Sequence, residues 1–299
     1  MAHFYDTTGA PQHTVLNKAQ TKLQGKDVFR PATIADARRN NWFSGWTAIG
    51  SIAGNMEWLY SWRKTEMWKV ILEHPFNPDS IEEPNDYRNR INKLLKIEME
   101  KAAKLGTKVH ELIELLLTSD ADLIHLGEYS DMLAGPCRSF HEWYDKEVGE
   151  VVASEQTFCS PDWGFGGAVD LQYLDKQGRY CIVDFKTKRT KPGEKIVQGL
   201  GQRRQLVAYA LGLGKLFGDT EPDKYGEYGC WGKRAVGASP AQYPLPLLGN
   251  LYLSTTEPNR WEYHTVDPAE IPELILDVRD CARLWQRENN FGPYAKEKK

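Results

Sequence analysis

The sequence predicts an α/β fold, and three observations carry that prediction. From about Pro31 to Leu117 the apolar residues recur mostly at helical spacing. Beyond Leu117, strand-like runs rich in β-branched and aromatic residues alternate with helical stretches. Two pairs of those runs are joined by turn clusters, Asp175-Lys176-Gln177-Gly178 and Glu257-Pro258-Asn259, which mark hairpins. At 299 residues and 41% hydrophobic, the chain can bury a sizeable core. That size suits one large domain, or one domain with a helical extension.

The elements follow in order. Residues 1–30 are polar and mixed and read as an extended arm or peripheral turns. The helical region after Pro31 is interrupted at His74-Pro75-Phe76-Asn77-Pro78 and by an acidic loop, Glu82-Glu83-Pro84-Asn85-Asp86. A helix runs through Phe140-His141-Glu142-Trp143-Tyr144, and Val151 to Phe158 is a strand. Next come the strands of the first hairpin, holding Gly166-Gly167-Ala168-Val169-Asp170 and Ile182-Val183-Asp184-Phe185-Lys186-Thr187. A helix around Gln202 to Leu213 and a Gly- and Pro-rich connection from Gly226 to Pro246 lead to the second hairpin, Asn250 to Ser254 and Arg260 to Val266. The last helix has Asp267 to cap it, Pro268 at its first position and Glu270 where a capping-box acid belongs.

Composition excludes several classes. Net charge is −3 and the pI about 6.2, so no global positive field marks a protein that coats nucleic acid. Cys137, Cys159, Cys181, Cys230 and Cys281 are scattered, odd in number and without a CxxC pair, which argues against structural zinc and against a disulfide framework. The sequence has no run long and apolar enough to span a bilayer and no signal pattern at its start, so cytoplasmic surroundings are expected, without a membrane partner.

Chemistry concentrates in the first hairpin. Alternation along a strand sets Asp184 and Lys186 on one face and Val183 and Phe185 on the other. With Leu174 paired to Arg179, Asp170 falls opposite Val183, one residue out of register with Asp184; a bulge or a different turn length would bring the aspartates abreast. Two carboxylates and an ammonium would then converge where a hard divalent cation could be held against a phosphate. Taken alone, the same residues equally describe a solvated sheet face. Upstream, Leu105, Val109, Leu112, Ile113 and Leu116 share a helical stripe, with His110 at its border and Gly106 one turn below, leaving room for a close approach. Such a histidine either ligates a metal or is a satisfied interfacial residue. Downstream, Gln205 and Tyr209 share a helix face. They follow a basic stretch, Lys186, Lys188, Arg189, Lys191, Lys195, Arg203 and Arg204, that is either a solvated face or a path for a phosphate backbone.

In this order, GxxxH, GGxVD, VDFKT and QxxxY resemble the PD-(D/E)xK nucleases of the RecB and Cas4 branch, which includes mitochondrial genome maintenance and phage-encoded exonucleases. The likeness is densest over residues 105–210. It implies a restriction-endonuclease-like core, a central mixed β-sheet flanked by helices, over residues 105–299. An N-terminal arm and helical region, residues 1–104, would precede it as a DNA clamp. It implies His110, Asp170, Asp184 and the Phe185 carbonyl as ligands of one or two Mg²⁺ or Mn²⁺ ions, and Lys186 as the catalytic lysine. Asp170 and Asp184 then also serve catalysis, and Glu155 sits where relatives often carry an acid. Gln205, Tyr209, Lys188, Arg189 and Arg204 would meet nucleic acid.

The implied activity is metal-dependent hydrolysis of DNA, as an exonuclease on single-stranded ends, within recombination, repair or processing, with replication or recombination proteins as partners. Iron–sulfur members place one cysteine before the core and three after it; here only Cys230 and Cys281 follow it, so no such cluster is expected. Five of the ten tryptophans, Trp42, Trp46, Trp58, Trp62 and Trp68, lie among Arg38, Arg39, Arg63 and Lys64 and either pack a core or stack on bases. A structure-specific endonuclease and a non-cleaving nucleic-acid-binding module are the alternatives.

Overall fold

The runs on either side of the Asp175–Gly178 turn form the hairpin that organises the sheet. The structure is a computed structural model that describes residues 3–53, 56–79, 81–118, 130–216 and 245–295. Among the described residues the strands are β1 (Phe4–Tyr5), β2 (Thr14–Leu16), β3 (Phe29–Pro31), β4 (Phe43–Gly45), β5 (Val148–Ser160), β6 (Phe165–Asp175), β7 (Tyr180–Lys188), β8 (Leu247–Ser254) and β9 (Trp261–Thr265). The helices are α1 (Lys18–Gln24), α2 (Ile34–Asn40), α3 (Trp46–Gly50), α4 (Met56–Glu73), α5 (Pro84–Thr118), α6 (Asp131–Glu147), α7 (Leu200–Gly212) and α8 (Ile271–Glu288).

Seven strands make one mixed sheet in the order β1-β4-β6-β7-β8-β9, with β5 also on β6; β2 and β3 form a separate ribbon. The β4/β6 and β7/β8 pairs are parallel, the others antiparallel. Because β5 lines β6 from Phe165 to Asp175 along one edge, β4 and β7 must share the other. There β4 takes Phe165 and Gly166 and β7 takes Leu171 to Leu174, leaving residues 167–170 in a fork between them.

The hairpin register is Leu174↔Tyr180, one residue beyond the Leu174–Arg179 pairing expected from sequence. Asp175 explains the longer turn. Its backbone N–H donates to the Arg179 carbonyl, and its carboxylate accepts from the N–H groups of Gln177 and Arg179. Gly178 supplies the left-handed φ of +77° that the turn needs. Continued past Leu171↔Val183, this register sets Asp170 level with Asp184.

Two cores cover the sheet. Phe165, Val169, Ile182 and Leu248 pack with Trp46 and Ile49 of α3, Leu206 to Leu211 of α7, and Leu274, Val278 and Trp285 of α8. Tyr173, Val183, Phe185, Leu251 and Leu253 pack with Val109 and Ile113 of α5 and Phe140 and Trp143 of α6. Along β7 the alternation is regular. Along β6 it breaks, since Val169 faces the first core and Leu171 the second, so Asp170 sits at the crossover. The predicted stripe of α5 is buried at Val109, Leu112 and Ile113, each burial stabilising by roughly 1.5–3 kcal/mol.

Two local expectations change. Phe4 and Tyr5 are not peripheral; they are buried and extend the sheet through β4. Asp267 caps a 3₁₀ turn, Pro268–Glu270, and the α-helix proper starts at Ile271. Most of the Gly226–Pro246 connection, including Cys230, lies outside the described residues. Among those described, no helix is long and apolar enough to cross a membrane.

Candidate metal centre

The fork on the edge of β6 is where polar side chains converge. Asp170 Oδ2 accepts a hydrogen bond from the Phe185 N–H at 2.5 Å. A carboxylate thus stands in for a ladder carbonyl where β6 and β7 part. His110 reaches the same atom from α5, with Nδ1 3.7 Å from Asp170 Oδ2 and its ring edge-on to Phe185 at 5.8 Å between centroids. The helix can approach this closely because of Gly106. A Cβ there would lie 3.1 Å from Thr187 Oγ1 on β7.

Glu155 completes the group from β5, between the pairs Ser154↔Leu171 and Gln156↔Val169 and so level with Asp170. Its φ is +46°, a left-handed conformation inside a strand that costs on the order of 1–3 kcal/mol. Ligand atoms of His110, Glu155 and Asp170 all lie within 4.8 Å of one another. Gly106, Thr107, Glu111 and Glu114 join His110 and Glu155 around an open cleft of about 410 Å³.

Electrostatics at this group favour a cation. Burial first, then the charges of Asp184 and Glu155, hold the Asp170 carboxyl well above its usual range, although the Phe185 N–H and Lys186 pull the other way. Glu155 is pushed up to about 7 by burial, then by Glu114 and Asp184. Burial lowers His110, keeping the imidazole in its neutral, metal-ligating form. Lys186 behaves differently. Burial alone would lower it, yet Asp184 and Asp170 outweigh that and raise it, so it stays an ammonium.

Lys186 Nζ lies 2.5 Å from Asp184 Oδ2 and donates to Gln205 Oε1 at 3.3 Å. Gln205 Nε2 in turn donates to the Tyr209 hydroxyl at 2.6 Å. Tyr209 is buried, so it orients Gln205 rather than offering a surface to nucleic acid. The Asn250 amide donates to the same Asp184 Oδ2 at 2.9 Å, while its own oxygen accepts from Gln198 Nε2 at 2.8 Å. Both contacts to Asp184 fall on Oδ2, so Oδ1 carries neither.

Sequence reasoning missed Asn250 and Gln198 as supports. The available cue was one amide inside the apolar strand Leu247-Leu248-Gly249-Asn250-Leu251. It also left the glycine pair unexplained. A Cβ on Gly166 would lie 2.7 Å from the Tyr5 ring, and one on Gly167 2.9 Å from the Phe158 ring and 3.1 Å from that of Tyr209. The pair lets three aromatic rings close around the fork.

The basic stretch is divided. Arg189, Lys191 and Lys195 are exposed, whereas Lys188 pairs with Glu194 at 3.3 Å. Arg204 does not lie on an open path as expected. It faces α8, paired with Asp277 at 2.9 Å, and Arg203 pairs with Glu270. Of the tryptophans, Trp46 is core, Trp42 packs partly against it and Trp68 is 60% exposed; the side chains of Trp58 and Trp62 lie outside the described residues.

A forked mixed sheet flanked by helices, with carboxylates and a lysine at the fork, defines a class, and comparison with protein families agrees. The profile of the PD-(D/E)XK nuclease superfamily matches residues 85–298, and the chain belongs to that superfamily. Comparison with curated proteins gives no match.

Proposed function

We propose that this protein is a divalent-metal-dependent DNA exonuclease of the RecB and Cas4-like branch, working without an iron–sulfur cluster and preferring single-stranded ends. The observation that carries this reading is the grouping of His110, Glu155 and Asp170 within 4.8 Å, beside the Asp184–Lys186 pair. Superfamily membership supports a nucleic-acid substrate and phosphodiester hydrolysis. Recombination, repair or DNA processing is the setting, with residues 105–299 as the nuclease core and residues 1–104 flanking the DNA.

The donor set fits Mg²⁺ or Mn²⁺. Carboxylate oxygens suit hard cations, a neutral imidazole is a metal ligand, and two carboxyl groups raised by burial lack enough positive charge nearby to ionise comfortably. His110, Glu155 and Asp170 would hold the ion, with Asp184 through Oδ1 and the Phe185 carbonyl at its border. Bound there, the cation supplies Lewis-acid stabilisation of phosphoryl charge and lowers the pKa of water. The remaining work belongs to the chain. Lys186, kept charged by Asp184 and Asp170, is placed to orient the attacking water and to offset charge growing on the phosphate. Gln205 holds that ammonium from the other side, and Tyr209 fixes Gln205.

Digestion of end-labelled single-stranded, duplex and circular DNA with Mg²⁺ or Mn²⁺ tests the reading. Linear single strands should be shortened from an end, with the circle left intact. Products from the circle would make the protein an endonuclease, and tight binding without products would make it a non-cleaving module.

A further inference from the structure

β1 packs on the strand that carries Asp170. The Tyr5 ring lies over Gly166, and Tyr5 is close enough to Glu155 to feel its charge. Tyr5 is bridged to Pro11, and β2 begins three residues later at Thr14, a reach of about 10 Å. The β2–β3 ribbon, with α1 inserted between its strands, is thereby tethered to β1 and through it to the Gly166 end of β6.

Val15 packs partly against the first core, but the helix and the far ends of the strands contribute little to it. Helix α1 buries none of its side chains, although both its ends are closed, by the Asn17 side chain and by Gly25 in the left-handed region. Leu23 is 85% exposed and Phe29 is 61% exposed, and Phe29 pairs across the ribbon with the exposed Leu16. Lys18, Lys22 and Lys26 are exposed and make no ion pair with the described residues. Lys18 and Lys22 are four apart on one helix face, where like charges repel. Arg30 differs, being tied to Asp36 at 2.7 Å. Cations without partners beside an exposed aromatic ring, in a chain of net charge −3, complement a polyanion whose bases can stack.

We propose that the β2–α1–β3 ribbon guides the unpaired strand into the metal centre, with Lys18, Lys22 and Lys26 on its phosphates and Phe29 stacked on a base. The proposal rests on the single-strand nuclease reading and adds a binding surface outside the catalytic group.

Two variants of the full chain test it, Lys18→Ser/Lys22→Ser/Lys26→Ser and Phe29→Ser, all at exposed positions. Anisotropy of a labelled 30-nucleotide single strand in EDTA reads binding, and cleavage of a 6-nucleotide strand with Mg²⁺ reads the catalytic group alone. The triple variant should bind the long strand at least tenfold more weakly. Its log–log salt slope should be shallower by about 2, the loss of three single-strand phosphate contacts. The Phe29 variant should bind about tenfold more weakly with the slope unchanged, since stacking releases few ions. Both should cut the short strand like wild type. Wild-type affinity for the long strand in either variant overturns the proposal and leaves the ribbon to a protein partner. A wild-type protein that neither binds nor cuts either strand instead defeats the underlying nuclease reading.

Discussion

Asn250 donates its side-chain amide to Oδ2 of Asp184 at 2.9 Å, and the two residues are direct partners in the parallel β7/β8 ladder. Gln198 fixes the amide, because by donating to Asn250 Oδ1 it leaves only the NH₂ group to face Asp184. The effect is directional. With Lys186 and Asn250 both on Oδ2, the carboxylate is anchored through that oxygen, which under the proposed function leaves Oδ1 to face a cation. A hydrogen bond to a charged group is worth roughly 1.5–3 kcal/mol. Asn250→Leu should therefore weaken Mn²⁺ binding by about 10- to 100-fold, as measured by titration calorimetry. Gln198→Leu should move it in the same direction by less. An Asn250→Leu protein with wild-type Mn²⁺ affinity would show that Asp184 needs no such support.

Lys186 is the ammonium in contact with Asp184, and the proposed function makes it the group that acts on the phosphate. Lys186→Ala should reduce metal-dependent cleavage by about 10³-fold, within the range for loss of one preorganised charge stabiliser. Asp184→Ala should abolish it. Circular dichroism and the thermal transition should show both proteins folded. Full activity in either purified variant would remove the assignment of this pair to the chemistry.

The architecture was legible wherever side-chain period controls burial. In β7, Val183 and Phe185 reach one core while Ile182 reaches the other, as strict alternation requires, and the stripe of α5 is buried as its spacing predicts. Turn chemistry was legible in kind but not in length. The Asp175 carboxylate lengthens the hairpin turn by a residue and brings Asp170 level with Asp184, a shift that propensity cannot foresee. Long-range partners were not legible. Asn250 meets Asp184 only because β8 returns parallel to β7 after a long connection, and Phe4 and Tyr5 make a strand too short to carry a period. Glu155 owes its place to a left-handed backbone that its side chain does not announce. Arg204 looked like part of a basic path because the packing of α7 on α8, which gives it Asp277, lies 73 residues further along the chain.

Glu155 should make the stability of the metal-free protein depend on pH. Its folded pKa is raised from 4.5 to about 7, so between those values the folded state holds a proton that the unfolded chain has lost. Stability must then fall as pH rises through that window. Asp170, raised by burial and then by Asp184 and Glu155, acts in the same sense, whereas the lowered His110 opposes them. Comparison with Glu155→Gln isolates the effect. In EDTA, the Tm of wild type relative to this variant should decline from pH 5 to pH 7. Mn²⁺ should reverse the trend, since the ion takes the place of the proton and its affinity rises with pH. A Tm difference independent of pH would mean that the Glu155 carboxyl ionises normally in the fork.

The glycine pair before Asp170 should tolerate no side chain. A Cβ at position 166 would sit 2.7 Å from Tyr5 Cγ and 2.8 Å from the Phe158 carbonyl oxygen, and the second of these is backbone that cannot turn aside. Overpacking of this kind costs about 1–3 kcal/mol, so Gly166→Ala should lower the urea midpoint without changing the m-value. Tyr5→Ala removes the ring but not the carbonyl. In the Gly166→Ala background its own cost should therefore be smaller than in wild type, so that the double variant loses less stability than the sum of the two single losses. Because Tyr5 also lies near Glu155, the same substitution should weaken Mn²⁺ binding as the wall of the site shifts. Gly166→Ala with an unchanged urea midpoint would show that both β1 and the Phe158 backbone of β5 can ease away from position 166 at no cost, and that the glycine is not required there.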